Sequence, residues 1–345
     1  MKYDNIRVII IDNSNLSYSG EDIDGKVVRG TEASLILLAE QFFKMGIEVD
    51  YCNCLDSQKI VNGVVYYNKD KIDKKINYDL AIVISDANMF SLVTAKKKAV
   101  FSNSNQPIEK FIRKKQLIPF LKFKPTLITL CDYQFKKRSF FTSFYGKKTI
   151  PITVDPKFLN VDIDENYLPE KKVVYNIRSN RNLDHLIKIW IEKIFPKNNE
   201  FKLYITPNLI EYNESHFKNN IFLRKIGSRN EMINELKNYR ALTYLGHKSD
   251  IFTLTAEEAI KLCLPVVTFG IGSLKERVQH LETGFIVKND HQFADYTIKL
   301  LSDDEFYLNL KRKMKKKRKE NSWDFIANEW INYFLNEKNF NNQKS

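Results

Sequence analysis

Two carboxylates, Asp250 and Glu258, stand eight residues apart in the stretch from Ser249 to Asp290. They lie on the approach to an apolar run, Pro265-Val266-Val267-Thr268-Phe269, which is suited to a buried parallel strand. Gly270 and Gly272 follow, and glycines let a backbone turn tightly. Beyond them Ser273 and Leu274 open a second helical pattern. A strand that ends in a glycine turn at a helix start offers N–H groups to an anion such as phosphate. Thr255 precedes Glu258 by three residues and Ser273 precedes Glu276 by three. Both pairs predict capping boxes at the helix starts.

Such a site has to be carried by alternating strands and helices, and the chain reads that way. In the first half, strands are expected at Ile6–Ile11, Glu48–Tyr51, Val61–Tyr67, Leu80–Ser85, Ala99–Ser102 and Thr126–Leu130. Helices are expected over Glu32–Met45, Asn88–Ala95, Pro107–Lys114 and Tyr133–Thr142. Gly46 marks the first helix stop. Pro151–Lys171 carries little periodicity and reads as a linker. The alternation then resumes from Lys172 and runs to two helices, Phe293–Leu301 and Glu305–Lys319. A last helix begins near Ser322 with a wide apolar face of Trp323, Phe325, Ile326, Trp330, Tyr333 and Phe334. It is expected to dock on the first domain. The pattern predicts an α/β chain of two doubly wound domains, 1–155 and 156–320, a returning helix at 321–338 and a frayed tail at 339–345.

Apolar residues make up 43% of the 345 positions, enough for ordinary globular cores. The formal charge of +13 favours anionic membrane or nucleic acid in principle. The basic runs also fit solvated helix faces, Lys311–Lys319 among them, and no interleaved aromatic and basic nucleic-acid motif stands out. Cys52, Cys54, Cys131 and Cys263 lack metal-ligand spacing, and reduced thiols in a cytoplasmic setting are expected. His247 and His280 read as surface or capping residues. No apolar run reaches the ~20 residues of a membrane span.

The stretch from Asp250 closely resembles the signature of retaining glycosyltransferases of the GT-B fold, family four. That family shows an acid, seven residues, Glu-Ala, then Pro-Val-Val, a glycine loop, a further Glu and a TGF-V strand. Here these are Asp250, Glu258-Ala259, Pro265-Val266-Val267, Gly270-Ile271-Gly272-Ser273, Glu276 and Thr283-Gly284-Phe285-Ile286-Val287. Weaker echoes are Arg29-Gly30-Thr31-Glu32, the interdomain Thr149-Ile150-Pro151 to Val154-Asp155, and Asn176 to Asp184, which is similar to the family's phosphate-binding turn.

The resemblance implies two Rossmann-like domains facing across a cleft. It implies a hexosyltransferase-type enzyme moving a sugar from a nucleotide-diphosphate sugar to a glycan or lipid-linked acceptor, with retention at the anomeric carbon. Arg178 and Arg181 would hold the donor diphosphate, since guanidinium forks pair with phosphate. The N–H groups of Gly272, Ser273 and Leu274 would take the β-phosphate. Glu258 would bind the ribose, Asp250 would face the transferred sugar, and Gly30 would admit the donor phosphate to the first domain. No metal or other cofactor is implied, because arginines and helix dipoles meet the leaving charge.

Several positions depart from the family. Asp250 stands for Glu, Cys263 for Gly, Ile152-Thr153 for the Asn-Gly of the linker, Arg29 for Gly, and Asn103 for a His that contacts the donor sugar. Peripheral contact with an anionic membrane at the inner face is a further expectation, and a nucleic-acid partner is not expected. The alternatives are an inactive sugar-nucleotide-binding module and an inverting or phosphorolytic GT-B enzyme.

Overall fold

The computed structural model describes every residue except 1, 2, 4, 25–27, 29, 105–107, 139, 179, 208–211, 226 and 337–345. Arg29, Pro107 and the tail from Asn339 thus lie outside the described residues. The chain divides into two compact units, Met1–Thr153 with Asn321–Ser345, and Val154–Glu320.

The first unit holds β1 (Arg7–Ile11), α1 (Gly30–Lys44), β2 (Glu48–Asn53), β3 (Lys59–Val61), β4 (Val64–Asn68), β5 (Asn77–Ile84), β6 (Thr94–Phe101), α2 (Ile108–Arg113), α3 (Leu117–Phe123), β7 (Thr126–Thr129), α4 (Asp132–Lys137) and β8 (Lys147–Thr149). Its strand order is β3-β4-β2-β1-β5-β6-β7-β8. All pairings are parallel except β3 with β4. The β1 residues Val8 to Ile11 are fully buried, as β-branched side chains covered on both faces of a parallel sheet should be.

Local chemistry overrides periodicity at three points. The strand expected over Val61–Tyr67 is a hairpin, because Asn62 and Gly63 both adopt positive φ and reverse the chain. The helix expected over Asn88–Ala95 is only a short 3-10 turn, Ala87–Leu92. Asp86 caps that turn, and β6 already starts at Thr94. The helix expected over Tyr133–Thr142 stops at Lys137, and a separate 3-10 turn spans Phe140–Ser143.

The second unit holds β9 (Lys172–Tyr175), β10 (Lys202–Ile205), β11 (Ile221–Leu223), β12 (Ala241–Thr243), β13 (Val266–Thr268) and β14 (Gly284–Ile286). Its helices are α5 (Lys157–Asn160), α6 (Leu183–Ile189), α7 (Glu214–Lys218), α8 (Arg229–Leu236), α9 (Leu254–Lys261), α10 (Leu274–Arg277), α11 (Asp290–Ser302) and α12 (Asp304–Lys317). The order β11-β10-β9-β12-β13-β14 is the 3-2-1-4-5-6 order of a dinucleotide-binding sheet. Its reversal lies between β9 and β12, and ligands of such sheets bind beyond the strand ends there.

The segment expected as a linker is tied to this unit. Arg318 donates to the carbonyls of Phe158 and Val161 at 2.7 and 2.9 Å, and Lys311 donates to the Tyr167 carbonyl at 2.8 Å. Both cations are buried, so the Lys311–Lys319 run is not a uniformly exposed face.

The last helix, α13 (Trp323–Phe334), opens at its N-cap Ser322 and packs against α1 within the first unit. Gln41 donates to Asp324 at 2.6 Å, and Lys148 faces Glu329 at 3.4 Å. Trp330 is 1% exposed and stacks on Phe334. Trp330→Ala is therefore expected to cost about 3–5 kcal/mol. The expected readout is a lower urea midpoint for the first unit.

Candidate functional site

The β9/β12 reversal brings two loops together. The loop after β9 carries Arg178 and Arg181; the loop after β12 carries His247 and Asp250. Buried Tyr175, the last residue of β9, ties the first loop down. Its hydroxyl donates to the carbonyls of Arg178 and Arg181 at 2.7 and 3.1 Å. Asn182, in the left-handed region at φ 64, joins the loops by donating to the Gly246 carbonyl at 2.6 Å.

On that base Arg181 faces two partners. Its Nε lies 3.5 Å from Asp250 Oδ1, with the two side chains 18% and 12% exposed. Its Nη1 meets His247 Nδ1. That nitrogen also receives the Ser249 N–H at 3.1 Å. An Arg nitrogen only donates, so His247 Nδ1 must be the unprotonated acceptor. Tyr244, fully buried, donates its hydroxyl to the other oxygen of Asp250. Burial beside Asp250 raises the Tyr244 hydroxyl far above its ordinary pKa, so it stays a donor. Asp250 is thus a carboxylate held from two sides, and Arg178 is exposed on the same turn.

The glycine turn sits against this pair. The Asp250 carbonyl accepts the Ser273 N–H at 3.0 Å. The Ser273 hydroxyl meets Thr253 Oγ1 at 3.2 Å. Both expected capping boxes fail for this reason. The N-cap of α9 is Thr253 rather than Thr255, and neither Thr253 nor Ser273 caps through its side chain. Ser273 N–H is committed within the loop, which leaves the Leu274 N–H, at the first helical position, without an intrahelical acceptor.

Glu258 stands on α9 in different company. It is half-buried, and burial pushes its carboxyl up to about 7, while Arg229 and Arg224 pull it down and Asp155 pushes it up. Arg229 faces Asp155 at 3.4 Å, and Arg224 holds Glu235 through two bonds of 3.0 and 2.7 Å. Those two arginines, Asp155, His247 and Tyr244 were not singled out from the sequence as site residues. His247, expected at the surface or as a cap, instead meets Arg181 while also accepting the Ser249 N–H.

The remaining two site residues lie in the first unit. Gly30 is the first residue of α1, and its carbonyl accepts the Ser34 hydroxyl at 2.7 Å. Asn103 follows β6 and is exposed. Its Oδ1 accepts the Ser85 hydroxyl at 2.7 Å.

Two Rossmann-like sheets, parallel except for the β3–β4 hairpin, the second with an arginine and acid pair at its reversal point, make up the GT-B fold. Residues 173–320 match the family model of glycosyl transferases group 1. The family match thus covers the second unit, and the whole chain shares its fold with solved GT-B glycosyltransferases.

Solved structures with this fold include sucrose-phosphate synthase of Thermosynechococcus elongatus, 12% identical at a TM-score of 0.69 over 96% of this chain and 98% of that one. HepE of Anabaena, in complex with UDP and glucose, is 11% identical at a TM-score of 0.65 over 95% and 99%. A TarM variant of S. aureus, in complex with fondaparinux, alpha-GlcNAc-glycerol and UDP, is 19% identical at a TM-score of 0.60. That match covers 81% of this chain but 62% of TarM, so the chain spans less than two thirds of TarM's length. No curated protein is similar enough in sequence to match. Among the described residues, no helix is long and apolar enough to cross a membrane.

Proposed function

We propose that the chain transfers a hexosyl group from a nucleotide-diphosphate sugar to a hydroxyl of a glycan or lipid-linked acceptor, with retention at the anomeric carbon. The observation that carries this reading is the Arg181–Asp250 pair at the β9/β12 reversal, braced against the Gly272–Ser273 turn. A diphosphate needs cationic forks, and a sugar needs a fixed acceptor of hydroxyl hydrogens; these two side chains supply one each. UDP in the HepE and TarM complexes makes UDP-sugars the first donors to try.

In this reading Arg178 and the Nη2 of Arg181 take the diphosphate, with the Leu274 N–H at the helix start and the Gly272 turn shaping its seat. Ser273 contributes by holding that turn to Asp250 rather than by donating its own N–H. Glu258 accepts the ribose hydroxyls. Asp250 accepts from the transferred sugar, and its shorter reach is offset by the fixed position that Tyr244 and Arg181 impose. Gly30 and Asn103 serve from the first unit, Gly30 by admitting the phosphate and Asn103 by contacting the sugar.

The sugar–phosphate bond breaks with its electron pair leaving on the diphosphate. The acceptor oxygen bonds to the same face of the anomeric carbon, and its proton passes to a departing phosphate oxygen. No protein base is required, so an amide at Asn103 is compatible with turnover. The proposed chemistry draws its stabilisation of the leaving charge from arginines and the helix start and calls for no metal or other cofactor.

The test is a thermal-shift panel of nucleotide sugars followed by NMR of the product formed from the best binder. A raised midpoint and an unchanged anomeric configuration are expected. An inverted product sinks the retaining reading. Binding without turnover, across sugar and lipid-linked acceptors, sinks the transferase reading and leaves a nucleotide-sugar-binding module.

A further inference from the structure

The first unit exposes an apolar surface that its core does not need. Helices α2 and α3 already send Phe111 and Phe120 inward, where the rings meet edge to face at 4.8 Å and are almost fully buried. Their other faces nevertheless carry Ile112, Leu117, Ile118 and Leu121, with Ile118 75% exposed. The 3-10 turn at Phe140–Ser143 packs against α2 and adds Phe140, 67% exposed, with Phe144 edge-on at 6.0 Å. Single exposed apolar residues are ordinary; six on neighbouring short elements mark a surface that meets something.

Charge says what that something is. From Glu109 to Lys148 the chain has eleven Lys and Arg against two Asp and Glu, so this segment supplies most of the net +13. Arg113 ends α2, and Lys114 and Lys115 follow it directly. Lys122 lies on α3, and Lys136 and Lys137 end α4. All six are exposed. Apolar side chains ringed by flexible cations match the interface of a bilayer, where the former enter the acyl boundary and the latter reach the headgroups. A protein partner's core would instead be expected to disfavour so many lysines.

We propose that this surface, formed by α2, α3 and the 140–144 turn, docks the protein on a bilayer rich in anionic lipid. The proposal deepens the lipid-linked branch of the function proposed above by placing the acceptor-delivering membrane against a defined face. It rests on that reading only for its purpose, since docking itself needs no donor.

The test uses the full chain and sedimentation with vesicles of phosphatidylcholine, with and without phosphatidylglycerol. The protein is expected to sediment with the mixed vesicles at low salt and to be released as salt rises. Ile118→Asp combined with Leu121→Asp is expected to weaken partitioning at least about tenfold. Lys114→Glu combined with Lys115→Glu is expected to do the same through charge, at about tenfold or more. All four side chains are exposed, so unfolding midpoints and the shift produced by UDP should match the wild type. Wild-type protein that stays in the supernatant overturns the proposal, as do variants that sediment as the wild type does. A wild-type dimer that these substitutions split, without vesicle binding, also overturns it in favour of a contact between copies. Loss of the UDP shift in the wild type would instead count against the donor site and leave vesicle binding untouched.

Discussion

Glu258→Gln is expected to stabilise the fold and weaken the donor at once. Burial holds the folded-state carboxyl at about 7 instead of 4.5, so the folded chain keeps a proton that the unfolded chain has lost. The stabilisation from that retained proton is full below about 4.5 and disappears as pH rises through about 7. At pH 8 the wild type carries a partly desolvated anion. The span from 4.5 to about 7 is worth up to roughly 3 kcal/mol for a fully buried group, and less for half-buried Glu258. Glutamine cannot ionise, so its variant should melt higher at pH 8 and converge with the wild type near pH 4.5.

Donor binding should move the opposite way. A hydrogen bond to a charged acceptor contributes about 1.5–3 kcal/mol, so nucleotide-sugar affinity should fall roughly 10- to 100-fold. If the carboxylate is the binding form, wild-type kcat/KM should climb through pH 7 while the variant's stays flat. Calorimetric titration with UDP beside a melting curve reads both effects. A raised melting point with unchanged affinity would reduce Glu258 to a misplaced core acid.

Gly272→Ala is the second large effect, and it comes from the backbone. Gly272 has φ 73, and a Cβ there would lie 2.4 Å from the His247 carbonyl oxygen and 2.9 Å from that of Asp250. Both obstacles are main-chain atoms of the loop that presents Asp250, and the Asp250 carbonyl also accepts Ser273 N–H. The left-handed conformation alone costs about 1–2 kcal/mol with a side chain, and the loop must move as well. A total near 2–4 kcal/mol is expected in chemical denaturation. A shift of about 1 Å at the reacting groups can cost about 100-fold in rate, so kcat should fall by that order. Gly270→Ala is the control. It shares the left-handed cost at φ 67, but its nearest obstacle is a side-chain atom, Ile286 Cγ2 at 2.9 Å, and no main-chain atom lies closer than 3.8 Å, so its loss should be smaller. Wild-type turnover in the Gly272 variant would show that this turn does not set the position of Asp250.

The alternation of strands and helices was legible because buried parallel strands need continuous apolar runs, such as Val8 to Ile11 and Val266-Val267. The two acids and the glycine turn were legible because their spacing lies within one strand–turn–helix passage. Their true contacts were not. The capping boxes read from Thr255 and Ser273 depended on where the helices begin, and the Thr253–Ser273 hydroxyl pair changed that. Cys263 stood out only as a departure from glycine; the structure puts it at φ 56, where a side chain is tolerated but not favoured.

By itself, then, the sequence determined the order of the elements, the family pattern from Asp250 to Val287, and the cationic bias of residues 109–148. These are properties of neighbours along the chain, where period and spacing act directly. Only the tertiary structure decided that Arg181 meets Asp250 and His247, since 69 and 66 residues separate them and strand order alone brings the loops together. It also decided which members of each charged run are buried, because Lys311 and Arg318 sink to carbonyls whereas Lys114 and Lys115 stay in solvent beside Ile118.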